Sequence, residues 1–121
     1  DSGKIFVEFY HAGAKERLHP NIELGLFRIA QELLNNAFKY AQAQLINVQL
    51  IQRKDSIMLT VEDDGVGFDK QNEKLNHYGL SIMQERASRL NGNLSVTSQM
   101  GEGCQVLLEY PKTKEVNVER I

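Results

Sequence analysis

The sequence predicts an α/β fold: a two-layer sandwich whose mixed, mostly antiparallel sheet carries its helices on one face. Two observations point there. Five short segments are β-branched, aromatic or alternating, while two longer ones repeat their apolar residues at helical spacing. Hairpin turns also outnumber crossovers in the order strand, helix, strand, strand, loop, helix, strand, strand.

Ile5–Tyr10 is β-branched and aromatic and reads as the first strand, followed by a polar connection from His11 to His19 that contains Gly13. Pro20 stands at a helix start, where its fixed φ and missing N–H do no harm, and Glu23 suits the positive end of the dipole. From Pro20 to about Ala41, the residues Ile22, Leu26, Ile29, Leu33 and Ala37 recur at helical spacing, widened by Ala30, Leu34 and Ala41. Gln44–Arg53 and Ile57–Glu62 alternate as two strands joined by a polar turn. Residues 69–77 are polar and aperiodic, a surface loop expected to be mobile. Leu80, Met83, Ala87 and Leu90 mark a second amphipathic helix, stopped at Asn91-Gly92. Leu94–Ser98 and Cys104–Tyr110 are the last strands, joined by a tight turn through Met100–Gly103. One domain is expected over 1–111, with a charged tail over 112–121 that reads as linker or disordered.

Composition narrows the function classes. With 121 residues, 41% apolar and 25% charged, the chain is that of a soluble globular domain with a core of ordinary size. A net charge of −2 without a basic stripe gives no footprint for nucleic acid. Cys104 is the single cysteine, which excludes an intrachain disulfide and fits a reducing, cytoplasmic compartment. No apolar run reaches bilayer length and no signal peptide is read, so this piece is not expected to insert in a membrane. The start at Asp-Ser-Gly without Met reads as a fragment of a longer protein, and a membrane-bound parent is compatible with that reading.

Chemistry concentrates at two places. Asp63-Asp64-Gly65-Val66-Gly67-Phe68 closes a strand with two carboxylates and two glycines that can take positive φ and bring backbone close to a ligand. Taken by itself, Asp-Gly is also an ordinary turn. In the long helix, Glu32 and Asn36 lie one turn apart on one face, and Lys39 follows one turn further on. That pattern reads either as a solvated polar face or as oxygen ligands for Mg²⁺ with a lysine for a phosphate.

Together these stretches resemble the sensor histidine kinases. ELLNN at Glu32–Asn36, with Lys39-Tyr40-Ala41 after it, resembles their N box, and DDGVGF at Asp63–Phe68 their first glycine box. YGLSIMQERA at Tyr78–Ala87 is similar to the second glycine box and its helix, and SQMGEG at Ser98–Gly103 to the last. The four occur in the family's order and cover about Pro20 to Tyr110; single glycine boxes are weak signals, four in order are strong. The short lid and the MQERA that follows GLSI look most like the nitrate-sensor branch.

The resemblance implies the Bergerat-type ATP-binding fold shared with gyrase, the heat-shock chaperone ATPase and mismatch-repair ATPase, with ATP and Mg²⁺ as cofactors. It implies that Asp63 accepts from the adenine amino group, a role suited to an acceptor-only carboxylate. Gly65 and Gly67 match residues that let the base lie against backbone, and Gly79 with Leu80 matches the lid end that meets phosphates at a helix start. Asn36 matches the Mg²⁺ ligand, Lys39 and Tyr40 match residues reaching the nucleotide, and His77, in the lid, is expected at most to graze it. Gly101 and Gly103 match the turn beneath the purine, equally readable as a plain hairpin turn. Glu32 is left between a Mg²⁺ and water-shell role and that of general base. Three positions depart from the family: Asp64 where Asn is common, adding charge near base or metal; Ser81 for a glycine; and Cys104 where Thr is frequent, read as a small buried apolar group.

The phosphoacceptor histidine is not expected among His11, His19 and His77, none of which sits in a long acidic-flanked helix. The chain is thus expected to be a monomeric catalytic half. It would phosphorylate a histidine on a separate dimerisation domain and, through it, serve a response regulator. The alternatives are an anti-sigma-type serine kinase, a nucleotide-operated ATPase, or a binding module that has lost catalysis.

Overall fold

The computed structural model describes residues 4–13, 17–67 and 79–112. The expected mobile loop at 69–77, His77 and the tail from 113 onward lie outside these residues. The elements run β1 (Phe6–Gly13), α1 (Pro20–Tyr40), β2 (Leu45–Gln52), β3 (Ser56–Asp63), α2 (Leu80–Arg89), β4 (Asn93–Ser98) and β5 (Cys104–Pro111).

The five strands form one sheet in the order β1-β2-β3-β5-β4. Only β1 and β2 are parallel, joined by α1 as the crossover; the other neighbours are antiparallel. The sheet is therefore mixed and mostly antiparallel, as the hairpin count predicts. Period two sends Ile46 and Val48, then Leu59 and Val61, then Val106 and Leu108 to one face, where they bury against Ile29 and Leu33 of α1 and Met83 and Ala87 of α2.

The helix starts where Pro20 predicts, and His19 is its N-cap, with Nδ1 accepting the Asn21 N–H at 3.1 Å. The first strand runs three residues further than expected. His11, Ala12 and Gly13 pair with Leu50, Ile51 and Gln52, so His11 lies in a strand and not in a loop. Parallel pairing with β2 holds His11 and Ala12 extended and takes in Gly13 at φ 105°, although the three lack apolar alternation. At the end of α2, Asn91 rather than Gly92 takes the left-handed conformation, φ 63°. The Asn91 N–H bonds the Ser88 carbonyl and the Gly92 N–H the Ala87 carbonyl, the pairing of a Schellman cap.

Candidate functional site

The site is built where the C-terminal end of α1 meets the end of β3. Alternation along β3 carries Asp63 to the core face, opposite Ile46 on β2 and Cys104 on β5. Asp63 is 8% exposed, and its Oδ1 accepts the Gly65 N–H at 2.9 Å. Burial pushes its carboxyl above the usual carboxylate range, opposed by hydrogen bonds from the Gly65 and Cys104 N–H groups, while Asp64 and Glu62 push it further up. A carboxylate with these backbone donors is held in one orientation and can accept a further donor from outside.

The glycine loop is stitched onto the helix end. The Val66 N–H bonds the Ala41 carbonyl at 2.8 Å, and Ala41 is the C-cap of α1. Gly65 does not take positive φ, unlike Gly67 at 62° and Gly103 at 79°. It is glycine for want of room, because a Cβ there would run into the Ala41 carbonyl oxygen. A Cβ on Gly67 would meet the Gln99 carbonyl, and one on Gly103 the Asp63 carbonyl. The glycines thus let three of the protein's own backbones close on one another. Gly79 and Gly101 have open space around them and are needed only for left-handed φ, 63° and 81°.

On α1, Glu32, Asn36, Lys39 and Tyr40 form one stripe at the rim of the buried face. Asn36 is 7% exposed, Glu32 is half-buried, and Lys39 and Tyr40 are exposed. An asparagine inside a helix, beside Leu33 and Ala37 of the core, is a costly choice that a solvated face would not require. The second helix, α2, is capped by Gly79, which offers no side chain to its first N–H groups, and Leu80 is buried. The structure brings Asp63 and Gly65 to the helix end that carries Asn36. Ser81 stands inside α2, where no positive φ asks for the family's glycine, and Cys104 is buried as expected.

Sequence reasoning missed the work of Asp64. Its Oδ1 accepts the Gln44 N–H at 2.9 Å and the Leu45 N–H at 3.0 Å, and these bonds, Leu45 first, hold its carboxyl below the usual range. Its carboxylate thus holds the start of β2. It also missed Ser98, buried, whose Oγ donates to the Gly103 carbonyl at 3.1 Å and secures the last turn. Both partners are backbone groups, which leave no mark on the side-chain pattern.

Residues 21–114 match the family described as histidine kinase-, DNA gyrase B-, and HSP90-like ATPase. The chain is 35% identical over 111 residues to the signal transduction histidine-protein kinase/phosphatase DegS of Brevibacillus brevis, covering 92% of this chain and 29% of that protein. It is 37% identical over 110 residues to the oxygen sensor histidine kinase NreB of Staphylococcus carnosus, 90% of this chain and 32% of that one. The nitrate/nitrite sensor protein NarX of Escherichia coli is 36% identical over 95 residues, 78% of this chain and 16% of NarX. The chain therefore spans about a third or less of the curated relatives it matches. In fold it resembles the blue-light activated histidine kinase EL346 of Erythrobacter litoralis, with a TM-score of 0.74 and 22% identity over 88% of this chain and 35% of that one.

Proposed function

The chain belongs to the histidine kinase-, DNA gyrase B-, and HSP90-like ATPase family. From that premise we propose that residues 1–111 are the ATP-binding catalytic domain of a two-component sensor histidine kinase. It would deliver the γ-phosphoryl group to a histidine on a dimerisation domain outside this chain. The observation that carries the reading is Asp63: a buried carboxylate fixed by backbone donors at the helix end that bears Asn36.

Asp63 reads the base. An ionised carboxylate accepts and cannot donate, so it takes the adenine amino group and rejects the guanine carbonyl at that position. Gly67, Gly101 and Gly103 shape the floor beside it. The first turn of α2 at Gly79 and Leu80 receives phosphate on free N–H groups and the positive dipole end, with Lys39 as a point charge and Tyr40 flanking. The donor set fits Mg²⁺ held jointly with phosphates. Asn36 supplies an amide oxygen and Glu32 a carboxylate, and among the described residues no group of three or more His, Cys, Asp or Glu would hold a metal alone. When bound, Mg²⁺ supplies charge neutralisation on the phosphate oxygens in a loose phosphoryl transition state. The chain's own part is to orient base and phosphates so that an incoming imidazole meets the γ-phosphorus in line.

A response regulator would receive the phosphoryl group downstream, with this domain monomeric, cytoplasmic and without a nucleic-acid partner. Titration with a non-hydrolysable ATP analogue tests the site, and absence of binding at millimolar analogue would sink the reading. Supplied with the helical phosphoacceptor domain and labelled ATP, the chain should yield acid-labile, alkali-stable phosphate. Acid-stable label would instead make it a serine kinase.

A further inference from the structure

We propose that Asp64 is a positioning residue whose carboxylate sets the spacing between the base-reading end of the site and the end that faces phosphates and metal. The inference rests on the adenine reading of Asp63 above. Residues 41–44, the short link from α1 to β2, contain Gln42 in the left-handed region at φ 52°. That conformation costs a non-glycine residue about 1 kcal/mol and persists only where neighbours hold it.

The holding is done across the glycine loop. Asp64 Oδ1 takes the Gln44 and Leu45 N–H groups, the Asp64 N–H returns to the Leu45 carbonyl at 3.2 Å, and the Val66 N–H takes the Ala41 carbonyl. Gly65 lies so close to Ala41 that no side chain fits between them. The adjacent carboxylates thus do different things. Asp63 turns inward to the buried face, and Asp64 turns outward and grips the link that ends α1. Because α1 carries Asn36 and Lys39 within its last turns, the grip of Asp64 determines where those groups stand relative to Asp63. A nucleotide must satisfy both ends at once, and misplacement of about 1 Å costs on the order of a hundredfold in a reacting complex. Asn, the residue common at this position in the resembled family, keeps an acceptor oxygen for the same two N–H groups.

The test is calorimetric titration of the whole chain with a non-hydrolysable ATP analogue, with and without Mg²⁺. Asp64→Ala should weaken the Mg²⁺-bound analogue roughly tenfold while the Mg²⁺-free affinity falls roughly twofold or less. Asp64→Asn should restore the gain from Mg²⁺. A wild-type Mg²⁺ gain in Asp64→Ala overturns the inference, and so does equal weakening with and without Mg²⁺, which would mean general loosening. Should Asp64→Ala not fold, Asp64→Ser, whose hydroxyl is a shorter acceptor, is read by the same ratio. Asp63→Asn separates the two readings. If it keeps full affinity, the adenine reading fails; if it loses affinity while Asp64→Ala behaves as wild type, only the positioning role fails.

Discussion

The two halves of α1 lie on surfaces of opposite character. Toward its N-terminus, Leu26, Phe27 and Ala30 border an open apolar groove of about 420 Å³ against Val7, Phe9 and Leu50. Phe9 is 65% exposed there and Phe27 58%. Toward its C-terminus, the helix ends on the Ala41–Val66 bond, the Asp64 grip and glycines that admit no Cβ. Apolar side chains tolerate a loose fit because burial energy is non-directional. Hydrogen-bonded backbones do not, and this fold concentrates them where a base and a phosphate would have to be held at fixed separation.

Substitutions can break that contrast, the one at Gly103 most severely. Gly103→Ala combines positive φ with a collision against the Asp63 carbonyl, and should cost about 3 kcal/mol or more in urea unfolding. Gly101→Ala, with the same handedness but open space, should cost about 1–2 kcal/mol. Similar losses for the two would show that conformation alone explains both glycines. Next come the side chains of α1 itself. Ile29→Ala, at a site 1% exposed, should cost about 3 kcal/mol. Phe27→Ala, facing the open groove, should stay within about 0.5 kcal/mol. A large loss at Phe27 would mean that the groove is better packed than its exposure indicates.

Much of this was legible in the sequence, and the gaps have a physical pattern. Period two in β2 and β3 and period 3.6 in α1 located the elements to within a residue or two, because burial on one face acts on every second or every third to fourth side chain. The three-residue extension of β1 was not legible, since His11, Ala12 and Gly13 are held by pairing with a strand more than thirty residues away in sequence. Asp63 could be read from its place after a strand and before two glycines. The partners of Asp64 could not, because they are the N–H groups of Gln44 and Leu45. The reason for Gly65 was hidden likewise, in the carbonyl of Ala41.

The ionisable groups sharpen the comparison with smaller effects. Asp63 has a folded pKa above its unfolded one, so its contribution favours folding at low pH and is lost as pH rises from the ordinary carboxylate range through the raised value. Asp63→Asn should flatten that dependence and leave neutral-pH stability equal or higher. Glu23, at the N-terminal end of α1, behaves in the opposite sense. Its hydrogen bond from Arg17 and that from the Leu18 N–H lower its carboxyl to about 2. Its contribution is present above the ordinary glutamate range and disappears as pH falls through about 2. The pair is exposed, so Glu23→Gln should produce the smallest change of the series, detectable as a slightly shallower acid transition.

On the proposal above, Asp63 is kept at the end of β3 for a ligand and not for the fold. The direct measurement is Asp63→Asn, with affinity for a non-hydrolysable ATP analogue and urea unfolding read on the same preparation at neutral pH. Binding should be lost while the unfolding midpoint holds or rises. Binding retained, or lost only together with a collapse in stability, would show that Asp63 does not serve a ligand.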